Sequence, residues 1–543
     1  MPNKVLKPSQ KTAYDLRNRE ITQILDVLKS NCLRQGTTSS GVDASALLAF
    51  RNTLDKLGQG FAVFGRYLAC RADLFPISNC LAFGSITDVA RPTLFENLGV
   101  FFHAQIGRPL LEVYEAFEPE PFQVCTLYQL HCARMHRGVD VVVKIQHPDV
   151  QDRLNEVWRH LSNLECVWVA LGFAQETFAD VVAHFKSTLT IQMDFLSERE
   201  NLLVLKDDLQ TSEWCRVPTA YPMLCGSKVL TIEGFGGCLN QTQQSDAGEK
   251  RLILAHSLCA GWLQQVFHGR VFTTAADLDH IVSLPNETVV FLSGPFFKLS
   301  SNTRENIGAY LTASAQHDPE QACRSLLLEM EATPSACDEK TLRHLFRQVV
   351  PFRDGGWGNI GVQDSLPEHI FVHWRLVTEH GYRPRTELLN FLCGLFQVSA
   401  SAHQLAPDAD PFNDALIAYQ ERLRNDQFQT AFATEQWSDA LDKYAGSFSE
   451  LPQKIDSLLT QAADGDLTLR FHIQEATEHR HMRNTSSVAI SLLLLLVAVV
   501  LLVYHLTQSG ITIVWLEKMG AVVFIMIGSV LLWIIMRSKN SKK

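Results

Sequence analysis

The chain has 543 residues, 46% of them hydrophobic, and a formal net charge of −10. That length accommodates two or more packed lobes with extensions. The charge is unevenly placed: from Glu475 onward seven Lys/Arg face three Asp/Glu, so the tail carries +4 and the body about −14. An acidic body excludes nucleic acid as a partner. Thirteen cysteines are scattered without a CxxC pair, which indicates neither a zinc site nor a disulfide framework and suits a reducing compartment. Residues 1–18 are polar and mixed in charge, and no secretory signal is visible in them.

In chain order, Tyr14, Leu16, Ile21, Ile24, Leu25 and Leu28 give a ragged amphipathic helical face, followed by a glycine-bounded loop over 36–41. A long helix is expected over 45–70, then an Asp/Pro turn and a further helical segment over 92–107. Residues 122–136 and 139–146 read as two strands joined by a tight turn at 136–138. In the second, Val141, Val143 and Ile145 face one side while Val142 and Lys144 face the other. The lysine is either an edge residue reaching water or a phosphate-binding lysine steadied by a helix glutamate, as in kinase-like folds.

Helix is expected from Asp149 to about Leu209, and strand over 217–231, clearest at Lys228-Val-Leu-Thr-Ile-Glu233. Residues 234–237 form a glycine-rich joint between lobes. Helix resumes over 246–268, followed by a short strand at 271–272, an aspartate-containing loop over 275–280 and a strand over 288–292. Beyond Asn302 the pattern is helical to about Leu459, interrupted by a loop over 354–361, and 467–473 alternates like a strand. His256, His268 and His280 lack metal-ligand spacing and read as core or surface histidines.

Residues 487–506 and 519–536 carry no formal charge, and each run approaches the twenty or so residues that cross a bilayer. Leu492 to Leu502 is apolar all round, unlike the single stripe of a buried soluble helix. Arg480 and Arg483 precede the pair and Arg537, Lys539, Lys542 and Lys543 follow it, which predicts a transmembrane hairpin with both termini cytoplasmic.

The order of these landmarks resembles the UbiB/AarF/ADCK family of atypical kinase-like proteins, linked to ubiquinone biosynthesis. Lys56-Leu-Gly-Gln59 matches that family's KxGQ signature, and Arg71-Ala-Asp-Leu-Phe-Pro76 resembles its continuation. Gln129-Leu-His131 resembles the end of the Ala-rich loop that replaces a kinase's Gly-rich loop. Val141-Val-Val-Lys144-Ile-Gln-His-Pro148 resembles VAVKVQHP, and Met193-Asp194-Phe-Leu-Ser-Glu198 resembles the helix supplying the ExD motif and the lysine's partner glutamate. A weaker match runs over 384–410.

The resemblance implies an α+β, two-lobed protein-kinase-like fold with an N-terminal helical extension and a C-terminal transmembrane helix hairpin. The expected divisions are an extension at 1–92, an N-lobe at 93–237, a helical C-lobe at 238–460, a juxtamembrane segment at 461–486 and the hairpin at 487–536. It also implies a nucleotide site with Lys144, Glu198, Lys56, Gln59, Gln129 and Asp194, with Lys56 and Gln59 beside Lys144 and closing the cleft to protein substrates.

Departures from the family pattern fall on the chemistry. The catalytic-loop Asp and Asn positions are Ala275 and His280, and the metal-binding DFG becomes Leu292-Ser293-Gly294. Magnesium needs several oxygen ligands, and leucine and alanine side chains offer none. Tyr128 replaces a loop glycine, and the ExD glutamate is Gln192, while Lys144 and Glu198 persist. Two ligand-binding readings follow, beside that of a membrane-anchored structural protein with no ligand. One is a pseudokinase at a bacterial inner membrane, its body cytoplasmic, that binds a membrane lipid, a ubiquinone precursor or ubiquinone-biosynthesis proteins. The other is an active ATPase or small-molecule kinase using ATP, with or without magnesium, in which Asp277 and Asp279 have taken over metal binding.

Overall fold

Val141, Val143 and Ile145 alternate along strand Val139–Gln146 and are buried with Leu98, Phe102, Tyr114 and Val229 in one core, as the period-2 pattern predicts. The structure, a computed structural model, describes residues 8–35, 44–88, 90–235, 248–349 and 365–432. All of them belong to one unit, Met1–Gln436.

The N-lobe sheet is antiparallel, in the order Tyr114–Phe117, Tyr128–Met135, Val139–Gln146, Val229–Glu233, with Gln123–Val124 folded back onto Tyr128–Met135. The strand expected over 122–136 is therefore two, reversed where the Cys125 N–H donates to the Tyr128 carbonyl. Thr126 fastens this bend, its N–H and hydroxyl both donating to Asp88 Oδ1. The turn between the long strands runs through left-handed Arg137 and Gly138 (φ 93° and 78°). Helix Phe95–Ile106 covers one face of the sheet through Leu98 and Phe102.

The strand expected over 217–231 is confined to the end of that stretch. Only Val229–Glu233 joins the N-lobe sheet, while Cys215–Arg216 pairs in parallel with Val289–Phe291 in the C-lobe. Pro218 and Pro222 lie between them and lack the N–H that a continuous ladder would need.

The extension comprises helices Pro8–Gln35, Ala44–Leu57, Gln59–Leu68 and Ile77–Gly84. The single helix expected over 45–70 is broken inside the KxGQ signature, where Gly58 has φ 67° and Gln59 φ 46°. The break redirects the second segment, and Gly60 lets it approach helix Val150–Arg159 so closely that a Cβ would meet Val157 Cγ2 at 2.7 Å. Phe61, Phe64 and Leu68 thereby enter the same core as Trp168, Phe185 and Leu388. Phe64 meets Phe185 edge-on at 5.1 Å between centroids.

Helix Gly248–Phe267 is the centre of the C-lobe, with Trp262 fully buried and stacked on Phe391. Helices Thr386–Leu405 and Pro411–Phe432 pack on it. The helical stretch expected after Asn302 also contains a small antiparallel pair, Met330–Ala332 with Tyr382–Pro384. The expected 467–473 strand, juxtamembrane segment and transmembrane hairpin lie outside the described residues, as do the 354–361 loop and Gly236 and Gly237 of the joint. Among the described residues no helix is long and apolar enough to cross a membrane.

Candidate functional site

Lys144 leaves the sheet on the face opposite Val143 and Ile145 and is buried against helix Phe195–Asp208. That helix starts at Asp194, whose carboxylate accepts the Ser197 N–H as an N-cap. The cap sets Glu198 in the first turn, where both its carboxylate oxygens accept from Lys144 Nζ at 2.9 Å. Oε1 also accepts the Gly294 N–H at 3.2 Å. Tyr128 and Phe195 flank the ammonium with ring centroids 4.3 and 4.8 Å from Nζ. Two carboxylate oxygens and two aromatic faces thus occupy the surroundings of Lys144.

Tyr128 extends from the N-lobe sheet across the cleft. Its hydroxyl lies 3.1 Å from His280 Nε2, and His280 Nδ1 lies 2.8 Å from Asp277 Oδ1. Asp277 Oδ1 also accepts the Asp279 N–H at 3.1 Å, closing the loop as an Asx turn. Burial opposes ionisation of Asp277, but His280, Arg66 and the Asp279 amide outweigh it and hold the carboxyl well below its usual range. Burial likewise disfavours the charge of Arg66, yet Asp277, Asp88 and Asp279 leave that guanidinium more firmly protonated. Burial pushes the Asp88 carboxyl up, against its Thr126 hydrogen bonds and Arg66. The Tyr128 phenol is pushed up by burial, reinforced by Cys125 and Glu198. These groups form a neutral-to-ionic chain from the sheet to the extension: Tyr128, His280, Asp277, Arg66.

The chain borders a cavity of about 180 Å³ at the meeting of both lobes and the extension. Lys144, Asp277, Tyr128 and Gln192 line it. Lys56 and Gln59 do not, contrary to expectation: both are exposed, because the left-handed break turns their side chains away from it. Helix Gln59–Leu68 instead contributes Val63, Arg66 and Tyr67. Gln129 is fully buried but structural, accepting the Thr93 N–H at 2.7 Å and meeting His131 Nε2 at 2.8 Å. Asp194 acts as the helix cap. His280, read as a bland histidine, is a central member of the site. Arg66 was missed, although a lone arginine within Gly60-Phe-Ala-Val-Phe-Gly-Arg66-Tyr-Leu is a charge in an apolar helix that burial must compensate.

The surroundings fit magnesium and nucleotide phosphate poorly. Asp277 lines the cavity but Asp279 does not, and among the described residues no group of three or more His, Cys, Asp or Glu is placed to hold a metal ion. Gly294, at the family's DFG glycine, packs against Ala275, at its catalytic aspartate: a Cβ on Gly294 would meet the Ala275 Cβ at 2.4 Å. The Lys144 ammonium, paired with Glu198 as in kinase-like folds, is covered by the Tyr128 ring on the side where phosphate would approach.

A two-lobed body whose sheet lysine pairs with a helix glutamate is kinase-like in class, and the ABC1 atypical kinase-like domain profile matches residues 85–326. That match, over somewhat less than half of the chain, and the relatives named below support membership of the UbiB/AarF/ADCK family. It is 22% identical over 440 residues to the chloroplastic protein ACTIVITY OF BC1 COMPLEX KINASE 7 of Arabidopsis thaliana, covering 78% of this chain and 62% of that one. A second Arabidopsis thaliana relative, the chloroplastic uncharacterized aarF domain-containing protein kinase At5g05200, is 24% identical over 74% of this chain and 81% of its own length. The probable protein kinase UbiB of Pseudomonas putida is 28% identical over 232 residues, 41% of this chain and 42% of that protein.

Proposed function

We propose that this protein is a pseudokinase of the UbiB/AarF/ADCK family that works by binding, tethered to a bacterial inner membrane through its C-terminal hairpin with its body in the cytoplasm. Its role is to support ubiquinone biosynthesis or isoprenoid-lipid handling, through a membrane lipid, a ubiquinone precursor or proteins of that pathway. The name of its UbiB relatives and the two long uncharged segments at 487–506 and 519–536 support that setting.

The observation that carries the inactive reading is Tyr128. Its ring covers Lys144 and its hydroxyl reaches His280, so the protein's own side chains bridge the lobes beside the ammonium that phosphates would need. Phosphoryl transfer depends on positioning and on metal-centred charge stabilisation, and the family's catalytic aspartate is Ala275 here while its two metal-ligand positions are His280 and Leu292. Asp277, the candidate replacement ligand, already serves His280 and the Asp279 amide and faces Arg66.

The test is a thermal shift of the full chain with ATP, with and without magnesium. A pseudokinase of this kind gives no magnesium-dependent stabilisation. A magnesium-dependent shift that disappears in an Asp277→Ala, Asp279→Ala double variant would establish the active ATPase or small-molecule kinase instead.

A further inference from the structure

Two thiols meet at the wall of the cavity. Cys70 lies just beyond helix Gln59–Leu68 of the extension, and Cys393 lies within helix Thr386–Leu405 of the C-lobe, 323 positions later. Cys393 Sγ is 3.8 Å from the Cys70 carbonyl oxygen, Cys70 Sγ donates to the Tyr67 carbonyl at 3.1 Å, and the two thiols are near enough to shift each other's ionisation. Both line the cavity, so a small solute entering it reaches them although the remaining surroundings are closed. Neighbouring groups distinguish the two sulfurs. Cys393 lowers the Cys70 thiol against the effect of burial, and Arg71, held by Asp73 at 2.9 and 2.6 Å, adds to the lowering. Cys393 moves the opposite way, raised by Cys70 and by burial. Within the pair the thiolate character falls on Cys70, and Arg71 favours ionisation of either sulfur.

We propose that Cys70 and Cys393 are a reversible disulfide pair, oxidised by a small hydroperoxide that enters the cavity, and that the bond fastens the N-terminal extension to the C-lobe. The Cys70 thiolate attacks the terminal peroxide oxygen, the O–O bond breaks, and hydroxide or alkoxide departs as Cys70 becomes the sulfenic acid. The Cys393 sulfur then attacks the Cys70 sulfur, an S–S bond forms, and the sulfenic oxygen leaves as water with the Cys393 proton. In sum two thiols and one hydroperoxide give one disulfide, one water and one water or alcohol. An external dithiol reverses it by thiol–disulfide exchange.

The bond would act on the cavity, because the element it captures carries Arg66 and Tyr67 and its partner helix carries Asn390, all of them lining residues. Tyr67 already touches His184 Nδ1 at 2.8 Å, and His184 Nε2 touches Asn390 at 2.9 Å. The oxidised pair would make that polar bridge covalent and hold the extension over the cavity.

The experiment treats the full chain with hydrogen peroxide, quenches it, and digests it without reduction for mass spectrometry. The expected product joins the peptides containing Cys70 and Cys393 at about 2 Da below their summed mass and is reversed by dithiothreitol. With Cys393→Ser, a sulfenic-acid trap labels Cys70; with Cys70→Ser, Cys393 stays unlabelled. Hydrogen exchange over residues 59–68 slows by about tenfold on oxidation of the natural chain and does not change in Cys70→Ser. Should either serine variant lose its folded circular-dichroism signal, the peptide linkage and exchange in the natural chain still decide. Cys70 and Cys393 remaining reduced, or oxidising without joining while exposed Cys132 and Cys166 react, would overturn the pair. A linked peptide with unaltered exchange over 59–68 would overturn its action on the extension.

Discussion

The Tyr128 hydroxyl and His280 Nε2 lie 3.1 Å apart and join the N-lobe sheet to the loop at which the family places its catalytic asparagine. A tyrosine in the bend and a histidine in the loop are each a departure from the family pattern, and they meet in space. Tyr128→Gly should remove both the hydroxyl bridge and the ring over Lys144. We expect ATP to raise the melting temperature of that variant while leaving the natural chain unchanged. Tyr128→Phe should keep the ring, lose about 1 kcal/mol with the hydrogen bond, and remain insensitive to ATP. An ATP response in Tyr128→Phe equal to that of Tyr128→Gly would show that the ring does not close the cleft.

Lys144 and Glu198 are both almost fully buried, so loss of one partner leaves a desolvated charge. Lys144→Ala should cost about 3–5 kcal/mol of unfolding free energy, whereas Lys144→Met with Glu198→Leu should cost far less. Urea unfolding of the two variants distinguishes them. Equal losses would mean that packing, and not the unpaired charge, dominates at this position.

Two buried histidines give the protein an acid limb. Burial lowers His147 from 6.5 to about 4, with Arg153 adding to the effect, and lowers His373 to about 3, with His369 adding. Both stay neutral in the fold while the unfolded chain binds protons near pH 6.5. Their contribution is therefore complete above pH 6.5 and is lost as pH falls through 6.5 toward 4 and 3, at about 1.4 kcal/mol per pH unit for each. His147→Gln should reduce the slope of stability against pH between 6 and 4. An unchanged slope would place the proton uptake elsewhere.

Gly294 has φ 147° and packs directly on Ala275 and Thr273. Gly294→Ala should destabilise by about 2–4 kcal/mol, because the new methyl meets the Ala275 Cβ at 2.4 Å and the backbone conformation is one that side chains rarely adopt. Chemical denaturation measures it. Stability within about 0.5 kcal/mol of the natural chain would mean that the loop holding Ala275 yields.

The elements legible in the sequence were those fixed by neighbours along the chain. Val141, Val143 and Ile145 sorted themselves by alternation, and the pairing of Lys144 with Glu198 followed from the family resemblance. Breaks were harder to read. Leu54, Leu57 and Phe61 keep a helical apolar spacing through Gly58, and only the left-handed conformation of that residue reveals two helices. Contacts made by the fold were not legible at all: Tyr128 and His280 are 152 residues apart, and no local pattern ties them together. Lys56 and Gln59 illustrate the reverse error, since a signature marked the correct helix while the residues facing the cavity were Arg66 and Tyr67.

Arg375, on helix Leu366–Glu379, donates to the carbonyls of Ala72 and Phe75, with its Nη2 2.6 Å from the latter. Residues 85–326, the span that the ABC1 profile matches, contain neither end of that clasp. The segment that the domain profile matches and the body that packs as one unit are therefore different objects. A fragment cut at 85 and 326 would lose the guanidinium, the carbonyls it serves and the aromatic cluster of Phe64 and Phe75 against Trp168 and Phe185, and would expose the apolar side of two C-lobe helices.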